Sequence, residues 1–218
     1  MSGPSFPDPQ HRRVVEAGCT RCPSLVESRN RIAWGVGPDD ADVVVIGEAP
    51  AAGDPDAERW RGGNHTGMAY TSRHSGRRVR RLFADLGYED RTYYTNAVKC
   101  FPRAEPTAGD PEKGDQPTNR QPTADERENC RTHLVAELDA IDPEVVVPTG
   151  KHATASVVAI EGQTLDGFLD HVLEPVVLSS LDVRAVPILH PSYQDVWLAR
   201  LGYNEQEYRA ELSAHLPE

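Results

Sequence analysis

A three-layer α/β/α fold with a central, mostly parallel four-stranded sheet is the class this chain of 218 residues predicts. Three observations carry it. Four short runs of strand-forming residues recur near 42–47, 93–98, 144–148 and 183–189. Helix-like segments fall between them and not in a separate block, the alternation that gives parallel strands covered on both faces. Polar, turn-forming sequences follow directly on the strand ends, where open α/β sheets bind ligands.

Taken in order, residues 1–15 are polar and are expected to be flexible. Asp42-Val43-Val44-Val45-Ile46-Gly47 is β-branched and ends at glycine, which reads as a buried parallel strand. The loop Glu48-Ala49-Pro50-Ala51-Ala52-Gly53 follows, and residues 54–75, rich in Gly, Asp and Arg, read as an ordered functional loop. From Gly76 to Leu86 the apolar positions Val79, Leu82, Phe83 and Leu86 share one helical face. Tyr93 to Val98 reads as the second strand. Pro102, Pro106, Pro111, Pro117 and Pro122 make 101–122 a loop-like insertion. Thr123 with Glu126 three residues on is a capping box, opening a helix to about Ile141 that Asp142-Pro143 stops. Glu144 to Pro148 is the third strand, and Gly150 opens a helix through Val158. Leu173 to Leu178 is expected as an edge strand and Val183 to Leu189 as the fourth clear strand, ending at His190-Pro191-Ser192. A last helix covers about Glu205 to His215. The whole reads as a single domain over 1–218.

The formal charge is −11, and Lys99, Lys113 and Lys151 are the only lysines. Such a composition reads as salt-adapted and argues against a nucleic-acid partner for the surface as a whole. The stretch from Arg73 to Arg81 runs the other way, with five arginines and no acid. It is either a phosphate-contacting patch or a solvated helix face. No apolar run approaches the ~20 residues a membrane span needs, and Met1-Ser2-Gly3-Pro4 leads into polar residues without an apolar leader. The expectation is a soluble, cytoplasmic monomer with no membrane partner. The absence of G-x-G-x-x-G and G-x4-G-K-[ST] weakens dinucleotide and P-loop readings.

Four cysteines remain. Cys19 and Cys22 form a C-x2-C pair, and Cys100 and Cys130 stand far away in sequence. Thiolates converging in the fold would make a metal or iron–sulfur site; disulfides are the alternative, in a chain with nothing secretory about it.

These residues, in this order, resemble the uracil-DNA glycosylase superfamily, and within it the iron–sulfur family-4 and family-5 branches. The resemblance runs from about Cys19 to Glu207. It rests on Cys19-x2-Cys22, Gly47-Glu48-Ala49-Pro50, Thr95-Asn96-Ala97-Val98-Lys99-Cys100, Pro117-Thr118 through Cys130-Arg131, Val145 to Gly150, and His190-Pro191-Ser192. Gly47 to Pro50 and Asn96 are similar to family 4. Ala51-Ala52, Gly63 to Gly67, Thr71 with Ser75-Gly76, and His190 to Gln194 are similar to family 5. Two positions depart: Ala51 stands where family 4 has glycine, and Arg73 where the family-5 loop offers an acid. The stretches 54–62 and 101–122 are longer than usual.

The resemblance implies base excision from uracil-containing DNA, with the base flipped into a pocket. His190 would donate to the uracil O2 as charge develops there, aided by backbone N–H groups around Ala49 to Ala51. Asn96 would pair with the base edge, which offers both a donor and an acceptor, and Tyr70 would stack on the base. Glu48 would position water; its alternative is a structural carboxylate bonded to loop amides. For His190 the alternative is a structural role, for Asn96 a turn and for Tyr70 core packing. The resemblance also implies a [4Fe–4S] cluster on Cys19, Cys22, Cys100 and Cys130, with zinc as the other possibility. Arg77, Arg78 and Arg81 would contact DNA, as would Tyr193 and Gln194 in the segment Tyr193 to Leu201 that enters the minor groove; packing of Trp197 and Leu198 under the last helix is the competing reading. Two further classes stay open: a non-catalytic DNA-binding or damage-sensing protein on the same fold, and a zinc-stabilised α/β protein unrelated to DNA.

Overall fold

Alternation within the first clear strand sets the layering. In β3 (Val43–Gly47), Val43 and Val45 join one apolar cluster, while Val44 and Ile46 join another. Successive side chains of a strand point to opposite faces, so both faces of the sheet are covered and the whole strand is buried. The structure is a computed structural model that describes residues 3–105 and 118–218.

Among the described residues the sheet has seven strands. Besides β3 they are β1 (Arg12–Arg13), β2 (Gly35–Val36), β4 (Thr92–Asn96), β5 (Val145–Pro148), β6 (Val176–Leu178) and β7 (Val183–Ala185), in the spatial order β1-β2-β4-β3-β5-β7-β6. β4, β3, β5 and β7 form a parallel centre, and these are the four expected strands. β2 and β1 extend one edge antiparallel, and β6 the other. The expected parallel centre of four strands is present, β6 is the edge strand expected near 173–178, and β1 and β2, of two residues each and too short to carry any periodicity, add an edge with no signal in the sequence. The expected strand from Leu173 begins only at Val176, since Leu173 has a φ of 66°. β7 is shorter than the 183–189 run, yet Val186 and Ile188 still donate to Val146 and Pro148 main-chain oxygens at 2.8 and 2.9 Å. The chain therefore stays beside β5 until it delivers His190 to the strand ends.

Helices follow the apolar faces. The helix α1 (Pro23–Ser28) and the short α2 (Gly63–Thr66) lie in stretches with no predicted element. On one face, α3 (Ser75–Asp85) buries Val79, Leu82 and Phe83. On the other, α4 (Ala124–Ile141) brings Leu134 and Leu138 against Val44 and Ile46. Both halves of the Thr123–Glu126 capping box are formed, and Asp142 ends α4 in the left-handed region. The helix α5 (Lys151–Val158) packs beside α4 through Val157. After α6 (Gln194–Trp197), the helix α7 (Glu205–His215) seats Tyr208 and Leu212 beside Phe83.

Residues 9–13, expected to be flexible, form a 3-10 turn and the edge strand β1, with Arg13 paired to Asp39 at 2.5 Å. The insertion 101–122 is described only at its two ends, which pair with each other. Ala104 donates to Thr118 O at 2.8 Å and Arg120 to Pro102 O at 2.9 Å. The rest of the insertion lies outside the described residues.

Candidate active site and cysteine site

Gly47 and Asn96 end neighbouring parallel strands in direct register. Their approach needs the glycine: a Cβ at position 47 would collide with Asn96 Oδ1 and lie 3.0 Å from the Tyr70 hydroxyl. Asn96 is 4% exposed, and its carboxamide makes no hydrogen bond among the described residues. A carboxamide offers both a donor and an acceptor.

Tyr70 sits at a φ of 52°, an uncommon conformation for a bulky residue. Several contacts hold it there. Its hydroxyl bonds Thr149 Oγ1 at 2.6 Å, and its ring lies tilted against Tyr94 with centroids 5.6 Å apart. Arg80 turns inward from α3 and donates to the main-chain oxygens of Tyr70 (3.0 Å) and Ala69 (3.3 Å), its guanidinium 3.9 Å from the Tyr94 ring centre. Burial lowers the Arg80 pKa to about 10, which leaves it charged at neutral pH. Gly76 is needed as well, because a Cβ there would lie 2.7 Å from Tyr70 O.

His190 follows the β7 path and packs against Gly150, where a Cβ would stand 2.9 Å from its own Cβ. The Ser192 main-chain N–H donates to His190 Nδ1 at 3.2 Å. In a neutral ring that assigns the proton to Nε2. Burial, and then the neighbouring His152, lower the His190 pKa, which keeps the ring neutral.

Glu48 Oε1 is buried with no partner among the described residues. Burial raises its pKa and Arg127 pulls it partly back. Its loop is held by others. Val98 N–H donates to Glu48 O at 2.9 Å, while Asn119 accepts from Ala52 N–H (3.2 Å) and donates to Pro50 O (3.1 Å).

Glu48, Ala49, Ala51, Tyr70, Asn96 and His190 all line one cavity of about 270 Å³. Glu48 and His190 also border a wider groove of about 950 Å³, walled by Arg120, Lys151, His152 and Trp197 among others. Sequence reasoning missed Asn119, hidden in the Pro-rich insertion, and Thr149, whose place after β5 was the one available signal.

The surface residues divide. Arg77, Arg78 and Arg81 are exposed on α3, with Arg77 above the Trp60 ring at 6.0 Å. Tyr193 is exposed. Gln194, expected at the DNA surface, is instead buried, because α6 begins there and turns it inward beside Val79 and Tyr208. Leu198 is likewise in the core, with Trp197 packed on it. Val196, 63% exposed, is the apolar tip of this segment.

All four cysteines are free thiols. Cys100 and Cys130 share a small apolar cluster with Leu25 and Val98, and Cys22 and Ala49 pack against it; Cys100 lies within reach of the charges of Cys19 and Cys22. N–H donors surround the sulfurs: Arg29 Nη1 to Cys100 (3.1 Å) and Asn129 Nδ2 to Cys22 (3.5 Å), with His133 Nε2 3.5 Å from Cys19. Burial pushes the Cys130 thiol up to about 11 and raises Cys22 and Cys100 as well. Bare thiols at Cys22, Cys100 and Cys130 would stay protonated, which suits a bound cation that holds them as thiolates. Glu16, Cys19 and His133 also place ligand atoms within 4.8 Å of one another.

Fold and site together define an α/β protein with a polar cavity at the carboxyl ends of its parallel strands and four free cysteines, Cys22 among them packed with Ala49 of the loop after β3. A model of the uracil DNA glycosylase superfamily matches residues 34–216, and the chain belongs to that superfamily. A type-5 uracil-DNA glycosylase of Pyrobaculum aerophilum is 31% identical over 212 residues, spanning 84% of this chain and 82% of the relative. A type-4 uracil-DNA glycosylase of Archaeoglobus fulgidus is 29% identical over 178 residues, 80% and 76% of the two chains. One of Thermotoga maritima is 28% identical over 180 residues, 80% and 77%. No helix among the described residues is long and apolar enough to cross a membrane.

Proposed function

We propose that this protein hydrolyses the N-glycosidic bond of uracil in DNA. The observation that carries the reading is the meeting of Asn96, Tyr70, Glu48 and His190 around one cavity of about 270 Å³. The flipped base lies against Tyr70, and its N–H and carbonyl edge pairs with the unpartnered Asn96 carboxamide. As the C1′–N1 bond breaks, the electron pair stays on the base. His190 Nε2–H donates to the O2 atom, where that charge collects, and a neutral donor is what Ser192 and the buried setting of His190 favour. Glu48, which lines the cavity, orients the water that attacks C1′. Main-chain N–H groups of Ala49 and Ala51 assist. Arg77, Arg78, Arg81 and Tyr193 meet the duplex.

Cys19, Cys22, Cys100 and Cys130 hold a [4Fe–4S] cluster in this reading. Bound there, it would tie the Cys19–Cys22 segment to Cys100 and to Cys130 on α4, and its contribution would be to hold these segments and not to carry out the hydrolysis. The deciding experiment is single-turnover cleavage of a uracil-containing oligonucleotide by the anaerobically purified protein, with iron and zinc measured on the same sample. Cleavage with about four irons per chain supports the proposal. A protein that binds such DNA and never cleaves it overturns the enzymatic reading, and an active, zinc-loaded one overturns the cluster.

A further inference from the structure

Directly behind Asn96 lies a polar network that the proposed reaction does not use. The side chains of Lys99 and Glu137 are 1% and 0% exposed. Lys99 Nζ donates to Thr95 Oγ1 (2.7 Å), to the main-chain oxygen of Asn96 (2.6 Å) and to Glu137 Oε2 (2.5 Å). Thr95 Oγ1 donates to Glu137 Oε2 at 2.5 Å. Glu137 Oε1 accepts from Gly35 N–H (3.0 Å) and the Tyr93 hydroxyl (3.2 Å). Each of the three ammonium protons is used, and the carboxylate accepts four hydrogen bonds.

Stability alone is a poor reason for this arrangement. A buried ion pair loses so much solvation that apolar residues of the same volume hold a fold as well or better. The network has a more particular consequence. The next two N–H groups, at Ala97 and Val98, donate to Gly47 O (2.7 Å) and Glu48 O (2.9 Å), tying the chain to the β3 loop. The Asn96 carbonyl takes its hydrogen bond from Lys99. Without that ammonium, the peptide after Asn96 would carry an unpaired buried oxygen and would turn to find a partner, swinging the carboxamide away from the cavity. We propose that Lys99 and Glu137 are positioning residues that lock the Asn96 peptide, and so aim its carboxamide at the base. Lys99 adjoins Cys100, and Glu137 stands two helical turns from Cys130 on α4, so the lock also spans the cysteine site and the base pocket. The inference rests on the reading of Asn96 as the group that pairs with the base edge.

The test uses the metal-loaded protein with the double substitution Lys99→Met/Glu137→Leu, which removes both charges together and leaves no lone buried ion. Three quantities are compared with wild type: inhibition by free uracil, the single-turnover rate on a uracil duplex, and affinity for a duplex with an abasic site. The expected result is weaker inhibition by free uracil and a rate lower by about 10²-fold, the scale of an ångström-sized misplacement, with abasic-duplex affinity, iron content and cooperative melting retained. Wild-type inhibition and rate overturn the proposal, and so does an equal loss in all three quantities, which is the mark of general loosening. If the double variant fails to fold, Glu137→Gln, nearly isosteric, is judged by the same split between uracil inhibition and abasic-duplex binding. Asn96→Ala runs alongside. If Asn96→Ala cleaves like wild type, the reading of the pocket fails; if it is impaired while the double variant is normal, only the lock fails.

Discussion

The end of β4 carries two polar regions built on opposite terms. Toward the cavity, Glu48 Oε1 is buried and, like the Asn96 carboxamide, has no partner among the described residues. One layer deeper, Lys99 and Glu137 leave no polar atom unsatisfied. Buried polar atoms without partners destabilise a fold, so an unpaired set survives where a ligand completes it, and a paired set survives where geometry must be held. In the proposed reading the unsatisfied face meets the base and the satisfied face supports it.

The largest effect that could break this contrast belongs to the satisfied region. Lys99→Met alone strands Glu137 in the core and should cost about 3–5 kcal/mol. Urea unfolding monitored by circular dichroism measures it, and a loss under about 1 kcal/mol would mean that water already relieves the pair. Next comes the open region. His190→Ala should slow single-turnover cleavage by about 10²–10³-fold, about 2.7–4 kcal/mol of barrier, with duplex affinity and melting temperature nearly unchanged. A wild-type rate would place the leaving-group donor elsewhere.

Glu48→Gln sharpens the comparison, because stability and activity should move in opposite directions. The folded pKa of Glu48 is raised above its unfolded value. The folded state then binds more protons than the unfolded state between those two values, so this group lowers stability as pH rises through that window. Glutamine removes the penalty. The variant should melt higher than wild type at neutral pH, with the gain vanishing below about pH 4, where both states of Glu48 are protonated. Its cleavage rate should fall, and the acid limb of the wild-type profile should sit above the ordinary glutamate range. A variant both less stable and fully active would make Glu48 a structural carboxylate after all. The smallest effect lies at the surface. Replacing Arg77 and Arg81 by alanine should weaken binding to all sequences alike and flatten the salt dependence by about one unit of slope for each phosphate no longer neutralised. An unchanged slope would leave α3 a solvated face.

Periodicity carried much of the architecture. The runs 43–46 and 145–148 are continuously apolar, and 93–98 opens on two tyrosines, because both faces of the sheet are covered, and the Thr123–Glu126 box announced α4 from four residues. β1 and β2 were illegible, since two residues have no period and pair only because β4 offers an open edge. Gln194 was misread for a related reason, whereas for Leu198 the competing reading, packing in the core, holds. A polar residue beside an exposed tyrosine looks like surface, and only the start of α6 turns it inward. Arg80 and Arg81 are equally basic in sequence, yet one supports Tyr70 from within and the other faces solvent.

By itself, the sequence determined which residue types are present and in what order: four thiols, a glycine ahead of Glu48, an asparagine at the end of one strand run and a histidine after another. These follow from local pattern, because strand and helix periods and turn chemistry act over a few residues. The tertiary structure decided which of them meet, which lose their partners and which are satisfied. Asn119 reaching the Glu48 loop, Ser192 choosing the His190 tautomer, and Lys99 with Glu137 closing behind Asn96 join residues up to 69 positions apart. Hydrogen bonding and desolvation act through space, and their sign at each atom is set by neighbours that sequence order does not name.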